Sequence, residues 1–583
     1  MKQFLIYVLA TVAGLFVTMF LCMAGSFLML IMMVALSGSS SAPAVQKHSI
    51  LHLDLSGYIT ERMEGRSLID ELQGIENKSL PLNDIIAAID HASTDSKIDG
   101  IYLECNGGEG GQATMTYIIE SLNKFKESGK WVIAYGDSYS QGNYYLASAA
   151  DSLWLNPVGA VDIHGLGGNL MFYKGLLDKL GVEVQVIKVG TYKSAVEPYI
   201  LTAPSEANVE QVRAYITPIW NYISYVMAES RNVTTETINE WADSMIVTQD
   251  PATFVERNVV SGLRYRHEVE ESLKELCGLD KDDNLRLISP SKYVQTIKKK
   301  HSDNHIAVLY AVGDIVDSGN EGIVGEKMAP LILDLAEDDD VDALVLRVNS
   351  GGGSAYASEQ IWEALEQFKA KGKPFYVSMG DVAASGGYYI SCGADKIFCQ
   401  PVTITGSIGI FGMIPSLKGL MSDHLGITTA TIATNPNGQM SLMEPLSPVQ
   451  RQAMQNMIDR GYETFVGRCA EGRGMPVDSI KAIAEGRVWD GTTALRIGLV
   501  DGLANLSEVI EALAQDNGFE TYSIVEYPDP KLEWWEEILF ASDGIKQSIL
   551  DRELGEARQL YDAVKRIKEM DPVQCRMPEV VIE

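Results

Sequence analysis

Ser385 lies in the run Gly380-Asp-Val-Ala-Ala-Ser-Gly-Gly-Tyr388. A serine flanked by small residues where a strand turns into a helix can present its hydroxyl as a nucleophile. The same placement also suits a helix cap, and the run leaves both readings open. A second run, Asn349-Ser-Gly-Gly-Gly-Ser354, closes a strand-like segment. Its glycines let the backbone approach a reacting carbonyl and take positive φ. Acyl transfer needs N–H donors aimed at the tetrahedral oxygen, and Gly352 or Gly353 together with Gly386 could supply them. No Walker sequence is present, because neither Gly129-Lys130 nor Gly372-Lys373 is followed by Ser or Thr.

A serine nucleophile needs a base. None of the eight histidines sits in a triad-like context. His164, in Asp162-Ile-His-Gly165, is the best of them and reads as a loop residue. Lysine is the stronger candidate. Gly190-Thr-Tyr-Lys-Ser-Ala-Val-Glu-Pro198 follows the alternating strand pattern of Val182 to Val189, and Lys193 stands at its centre.

The elements that must position these groups occur twice. Lys97-Ile-Asp-Gly-Ile-Tyr-Leu-Glu-Cys-Asn-Gly-Gly108 resembles Asp340-Val-Asp-Ala-Leu-Val-Leu-Arg-Val-Asn-Ser-Gly351. Each is a buried-strand pattern ending in an Asn-led glycine turn. A helical stretch and a second strand follow in both. From Gly136-Asp137 and Gly380-Asp381 the match runs at constant offset to Pro157 and Pro401. This is a tandem duplication of one α/β unit, with strand, turn, helix and strand alternating as in a mostly parallel sheet. We expect repeats at 48–300 and 301–525, an anchor and linker at 1–47, and a tail at 526–583 with a helix from about Lys546 to Met570.

The repeats differ where chemistry is expected. Ser385 aligns with Gln141, and Lys193 aligns with Met440 when the two Glu-Pro pairs are matched. The serine survives in one copy and the lysine in the other. This complementary loss predicts one composite site where the repeats meet.

Composition narrows the function. The formal net charge of −31 opposes binding to nucleic acid phosphates. The seven cysteines are scattered without CxxC spacing, which argues against a zinc site or disulfide framework. Between Lys2 and Lys47 there is no charged side chain, and Phe4 to Leu36 is almost wholly apolar. As a helix that run would span about 50 Å against a hydrocarbon core of about 30 Å. It is longer than a cleaved signal's apolar region, although Ser37-Gly-Ser-Ser-Ser-Ala-Pro-Ala44 could mimic a cleavage site. We read a retained signal anchor with the body outside the cytoplasm.

Together, Tyr192-Lys-Ser-Ala-Val-Glu-Pro198, Asn349-Ser-Gly-Gly-Gly-Ser354, Gly380-Asp-Val-Ala-Ala-Ser-Gly-Gly-Tyr388 and Thr405-Gly-Ser-Ile-Gly409 resemble the long, duplicated form of the signal peptide peptidase A family. The resemblance covers nearly the whole chain. It implies a crotonase/Clp-like α/β fold, Ser385 as nucleophile, Lys193 as general base and Ser407 orienting the lysine. It also implies an oxyanion hole drawn from Gly352, Gly353 and Gly386. The family's turn usually reads Asn-Ser-Pro-Gly-Gly-Ser; Gly351 replaces the proline here. A membrane-anchored homotetramer digesting leftover signal peptides and similar apolar segments outside the cytoplasm is implied, with no metal or organic cofactor. For such a base, burial must bring the lysine down from about 10.4 toward neutrality. The competing readings are an acyl-CoA hydratase or isomerase on the same fold, and a membrane scaffold carrying relic motifs.

Overall fold

The computed structural model describes residues 45–63, 79–105, 107–108, 110–298, 301–529 and 573–577, with parts of 7–25. Most of the apolar run from Phe4 to Leu36, and the helix expected from Lys546 to Met570, lie outside the described residues. Among the described residues no helix is long and apolar enough to cross a membrane.

The first repeat builds a parallel sheet from β1 (Ser49–Asp54), β2 (Ile98–Glu104), β3 (Trp131–Gly136) and β4 (Ser152–Leu155). They lie in the order β4-β3-β2-β1, with short edge strands at Gly262–Leu263 and Leu287–Ile288. The strands are near-continuous runs of apolar residues because both faces are covered. Helices α1 (Gln112–Lys126) and α2 (Gln141–Ala147) follow β2 and β3. Beyond this sheet comes a separate strand, β5 (Glu183–Lys188), and then the long helix α3 (Glu206–Arg231).

The second repeat retraces this plan. Its strands β6 (His305–Val312), β7 (Ala343–Ser350), β9 (Phe375–Ala384) and β10 (Ile404–Gly406) form the spine of a second, mainly parallel sheet; β8 (Gly352–Ser354) branches off after β7. Helix α4 (Ala355–Ala370) follows β8, and the short α5 (Gly386–Tyr389) follows β9.

Individual hydrogen bonds recur at matched positions. Tyr144 donates to the Val259 carbonyl and Tyr388 to that of Leu499, both at 2.8 Å. Lys126 and Lys369 reach the carbonyls of Ala149 and Gly393 at 2.7 and 2.6 Å. Lys130 caps Ala92 and Asp95, as Lys373 caps Leu335 and Asp338. Such bonds satisfy carbonyls that helix and turn ends leave open, so a duplicated chain keeps them in both copies.

A third sheet joins the copies. Its order is Ile323–Val324, Ile315–Val316, β8, β12 (Val573–Arg576), β11 (Phe411–Ser416) and β5. The β5–β11 pairing is antiparallel from Lys188 opposite Phe411 to Glu183 opposite Ser416. A strand of the first repeat thereby lies against the second.

Buried polar contacts hold the same boundary. The Arg347 guanidinium donates to both oxygens of Glu61, at 2.9 and 3.1 Å, with Arg347 only 2% exposed. Asn349 donates to Glu61 at 3.0 Å, and Thr114 donates through its amide and hydroxyl to Asp381 at 2.9 and 2.7 Å.

Candidate active site

Lys193 sits on the turn that follows β5, and three features hold that turn in place. Gly190 has φ +96° and passes so close to Glu485 that a Cβ there would lie 2.4 Å from the Glu485 carbonyl oxygen. The Tyr192 amide donates to that same oxygen at 3.0 Å. From α3, Gln211 donates to the Tyr192 carbonyl and to Ser194 Oγ, both at 2.8 Å. Glu197 explains the rest of the motif: its buried carboxylate accepts from the Ser205 amide and hydroxyl and from Asn208. The lysine loop is thus tied to the start of α3.

The lysine stem then runs over two glycines of the second repeat. A Cβ at Gly486 would fall 2.7 Å from Lys193 Cβ, and one at Gly409 would fall 3.4 Å from Lys193 Cδ. Any side chain at Gly486 would displace the lysine.

Ser385 lies between β9 and α5. Its backbone is at φ 55°, ψ −113°, a conformation costly for a non-glycine residue. Its amide is anchored to the Gly406 carbonyl at 2.8 Å. The side chain makes no capping bond to α5, so the helix-cap reading is not what the geometry supports.

Lys193 Nζ is 2.7 Å from Ser385 Oγ, 3.0 Å from the Ser407 carbonyl oxygen and 3.0 Å from Ser407 Oγ. All three residues are fully buried. Burial brings the Lys193 amine down to about 7, against a smaller opposing effect of the Cys575 thiol. A neutral amine has two N–H donors and one lone pair. The two Ser407 oxygens can take the donors, which leaves the lone pair for the Ser385 hydroxyl.

The three glycines expected at the oxyanion position are close together. A Cβ on Gly352 would lie 2.6 Å from the Gly386 nitrogen. Gly352 and Gly353 have φ of +98° and +159°. The Gly352 amide already donates to Ser350 Oγ at 3.1 Å. Gly386 is the first residue of α5, where an amide has no partner within the helix.

In the first repeat, the residue matched to Ser385 is put to other use. Gln141 accepts from the amides of His164 and Gly165 at 2.9 and 2.8 Å and donates to the Gly165 carbonyl at 3.0 Å. His164 itself contacts Asp162 and takes no part in the serine–lysine cluster. Met440 is exposed.

Sequence reasoning missed Gly486, Gln211 and Cys575. The glycine and glutamine carry no motif of their own. Cys575 lies far beyond both repeats, and only folding brings it beside the lysine.

Two segments of the chain, residues 124–280 and 367–520, match the model of peptidase family S49. Protease 4 of Salmonella typhi is 38% identical over 84% of this chain and 82% of its own length. Protease 4 of Haemophilus influenzae is 33% identical over 87% of this chain and 86% of its own. The chloroplastic serine protease SPPA of Arabidopsis thaliana is 27% identical over 92% and 79%. With one family match in each repeat and Protease 4 relatives spanning most of its length, the chain belongs to peptidase family S49 and is a serine protease.

Proposed function

We propose that this protease is a Ser/Lys-dyad endopeptidase in which Ser385 is the nucleophile and Lys193 the general base. The observation that carries the reading is the 2.7 Å contact between a fully buried lysine amine and a serine hydroxyl held in strained backbone. Neutral Lys193 takes the Ser385 proton as Oγ attacks the peptide carbonyl. Ser407 holds the amine through its hydroxyl and carbonyl oxygens. The lysine then hands the proton to the departing amine, breaking the C–N bond and leaving an acyl ester on Ser385. Water, deprotonated by the same lysine, releases the acid.

We assign the Gly386 amide to the oxyanion, with Gly352 and Gly353 forming the wall that lets the carbonyl approach. Gly352 contributes a donor only by giving up its bond to Ser350. A carboxylate-based hydratase chemistry finds less support, because the group touching the Ser385 hydroxyl is an amine, itself held by the hydroxyl and carbonyl oxygens of Ser407.

The crotonase/Clp-like assignment of the two units, with repeats at 48–300 and 301–525, belongs to the same reading. So does the substrate class of released signal peptides and other apolar segments. The uncharged, apolar run from Phe4 to Leu36 supports a single membrane anchor with the body outside the cytoplasm, where freed apolar peptides partition into the bilayer. A homotetramer is the assembly we expect. The deciding experiment is treatment with a fluorophosphonate probe followed by digestion of a synthetic signal peptide. Labelling at Ser385 with loss of digestion supports the reading; digestion that survives full labelling, or labelling elsewhere, rejects it.

A further inference from the structure

The third sheet contains a strand that belongs to neither repeat. β12 lies between β8 and β11 and pairs antiparallel with both. Gly352, Gly353 and Ser354 face Arg576, Cys575 and Gln574. On its other side Phe411 and Gly412 face Gln574 and Val573. The Met577 amide extends the pairing by donating to the Gly351 carbonyl at 2.8 Å. Strands in a sheet are about 4.8 Å apart, so without β12 the edges of β8 and β11 would face each other across roughly 10 Å. That gap is one extended peptide wide, and it opens onto the serine–lysine cluster.

Two features place β12 at the reacting centre. Its Cys575 carbonyl oxygen is packed on Gly352, 2.1 Å from where a Cβ would stand, and that same point is 2.6 Å from the Gly386 nitrogen. This is the corner reserved for the carbonyl under attack. The Cys575 side chain is fully buried and close enough to Lys193 for each to perturb the other's charge. Two residues earlier, on the same face of the strand, Val573 lines a cavity of about 440 Å³ with Tyr356, Tyr389, Ile410 and Met457. β12 therefore behaves as an extended peptide does on an exposed sheet edge, with main-chain pairing for affinity and alternate side chains in pockets.

We infer that Val573–Met577 is a resident occupant of the peptide slot, and that an external peptide reaches Ser385 only when this strand leaves. The inference rests on the Ser385/Lys193 reading for its functional meaning. The occupant comes from this chain, and residues 528–572 separate it in sequence from the end of the second repeat's sheet at Tyr527. Its hold is local. Three residues pair with β8 and two with β11, and the partly exposed Arg576–Asp314 ion pair at 2.8 Å adds little. Slot chemistry follows from the occupant: a small side chain at the Cys575 position and an apolar one at the Val573 position.

The test compares the full chain, a chain ending at residue 571, and a full-length Cys575→Arg variant, whose long cation cannot enter the space of a small buried side chain. Each is assayed with an internally quenched apolar peptide. Separately, a dye-labelled peptide of residues 572–583 is titrated by fluorescence anisotropy into the shortened chain carrying Ser385→Ala. Both altered chains should show KM lowered about tenfold or more. The tail peptide should bind, and should inhibit the shortened active chain competitively, whereas a tail peptide with Cys575→Arg should do neither. Equal KM in all three chains, or a tail peptide that fails to bind, overturns the inference. Should the shortened chain misfold, the KM of the full-length Cys575→Arg variant decides between the two outcomes. Absence of peptidase activity in all three chains counts against the dyad reading, while the binding titration still judges whether the tail occupies the slot.

Discussion

Lys193 Nζ lies 2.7 Å from Ser385 Oγ and 3.0 Å from two oxygens of Ser407, so one amine links the two serines. The arrangement is sealed from water, with all three residues fully buried. The same burial that brings the lysine amine down to about 7 makes it costly to the fold.

Substitution of either partner should silence the enzyme. Ser385→Ala and Lys193→Ala should each lower kcat/KM for a quenched peptide by about 10⁴-fold or more, and the double variant should be scarcely worse, because parts of one catalytic unit are not additive. Circular dichroism should show the fold intact. Near-normal turnover in either single variant would remove that residue from the mechanism.

Activity should follow the lysine. With the amine brought down to about 7 by burial, the neutral base is scarce below that pH and dominant above it. kcat/KM should rise with pH through about 7 and then level off. A profile that falls over the same interval would contradict lysine as the base.

Removing the lysine amine should change stability in the opposite sense to function. An unfolded chain holds its lysine proton up to about 10.4, whereas folding releases it above about 7. The folded state is therefore penalised fully below pH 7, by an amount on the order of 5 kcal/mol, and the penalty shrinks as pH climbs toward 10. Lys193→Met should be inactive yet melt at a higher temperature than the parent, with the gain greatest at pH 6–7 and small at pH 10. Equal melting temperatures at pH 6 would argue that the amine is not desolvated.

Ser407 should act through the lysine. Its backbone sits at φ +52°, so Ser407→Gly removes the hydroxyl without adding strain and leaves the carbonyl contact available. We expect kcat to drop about 10- to 100-fold with KM little changed and the protein folded. An unchanged kcat would show that the carbonyl alone suffices to hold the amine.

The repeats should depend on a buried charge pair. Glu61→Gln leaves the Arg347 guanidinium, 2% exposed, without its counter-charge, and such losses cost about 3–5 kcal/mol. Chemical denaturation should report a drop of that size. Replacing both residues with apolar ones should recover much of it, and failure to do so would point to a wider role for Asn349 and Asp381 in the same network.

Much of this protein was legible in its residues. The duplication, the mostly parallel character of each repeat's sheet and the assignment of serine to one copy and lysine to the other all follow from short-range pattern. Apolar runs, glycine turns and matched offsets are local properties, and both copies repeat them. Ser385 and Lys193 stood out because each lacked its counterpart in the opposite copy. Distance was decided only by folding. The two residues are 192 positions apart, and they meet because β5 pairs with β11 and Gly486 leaves room for the lysine stem. The positive-φ backbone of Ser385, the amine's descent toward neutrality and the placement of Cys575 beside Gly352 and Lys193 likewise arise from tertiary packing. Burial and strand pairing between remote segments depend on which surfaces exclude water together, and no local run of residues encodes that.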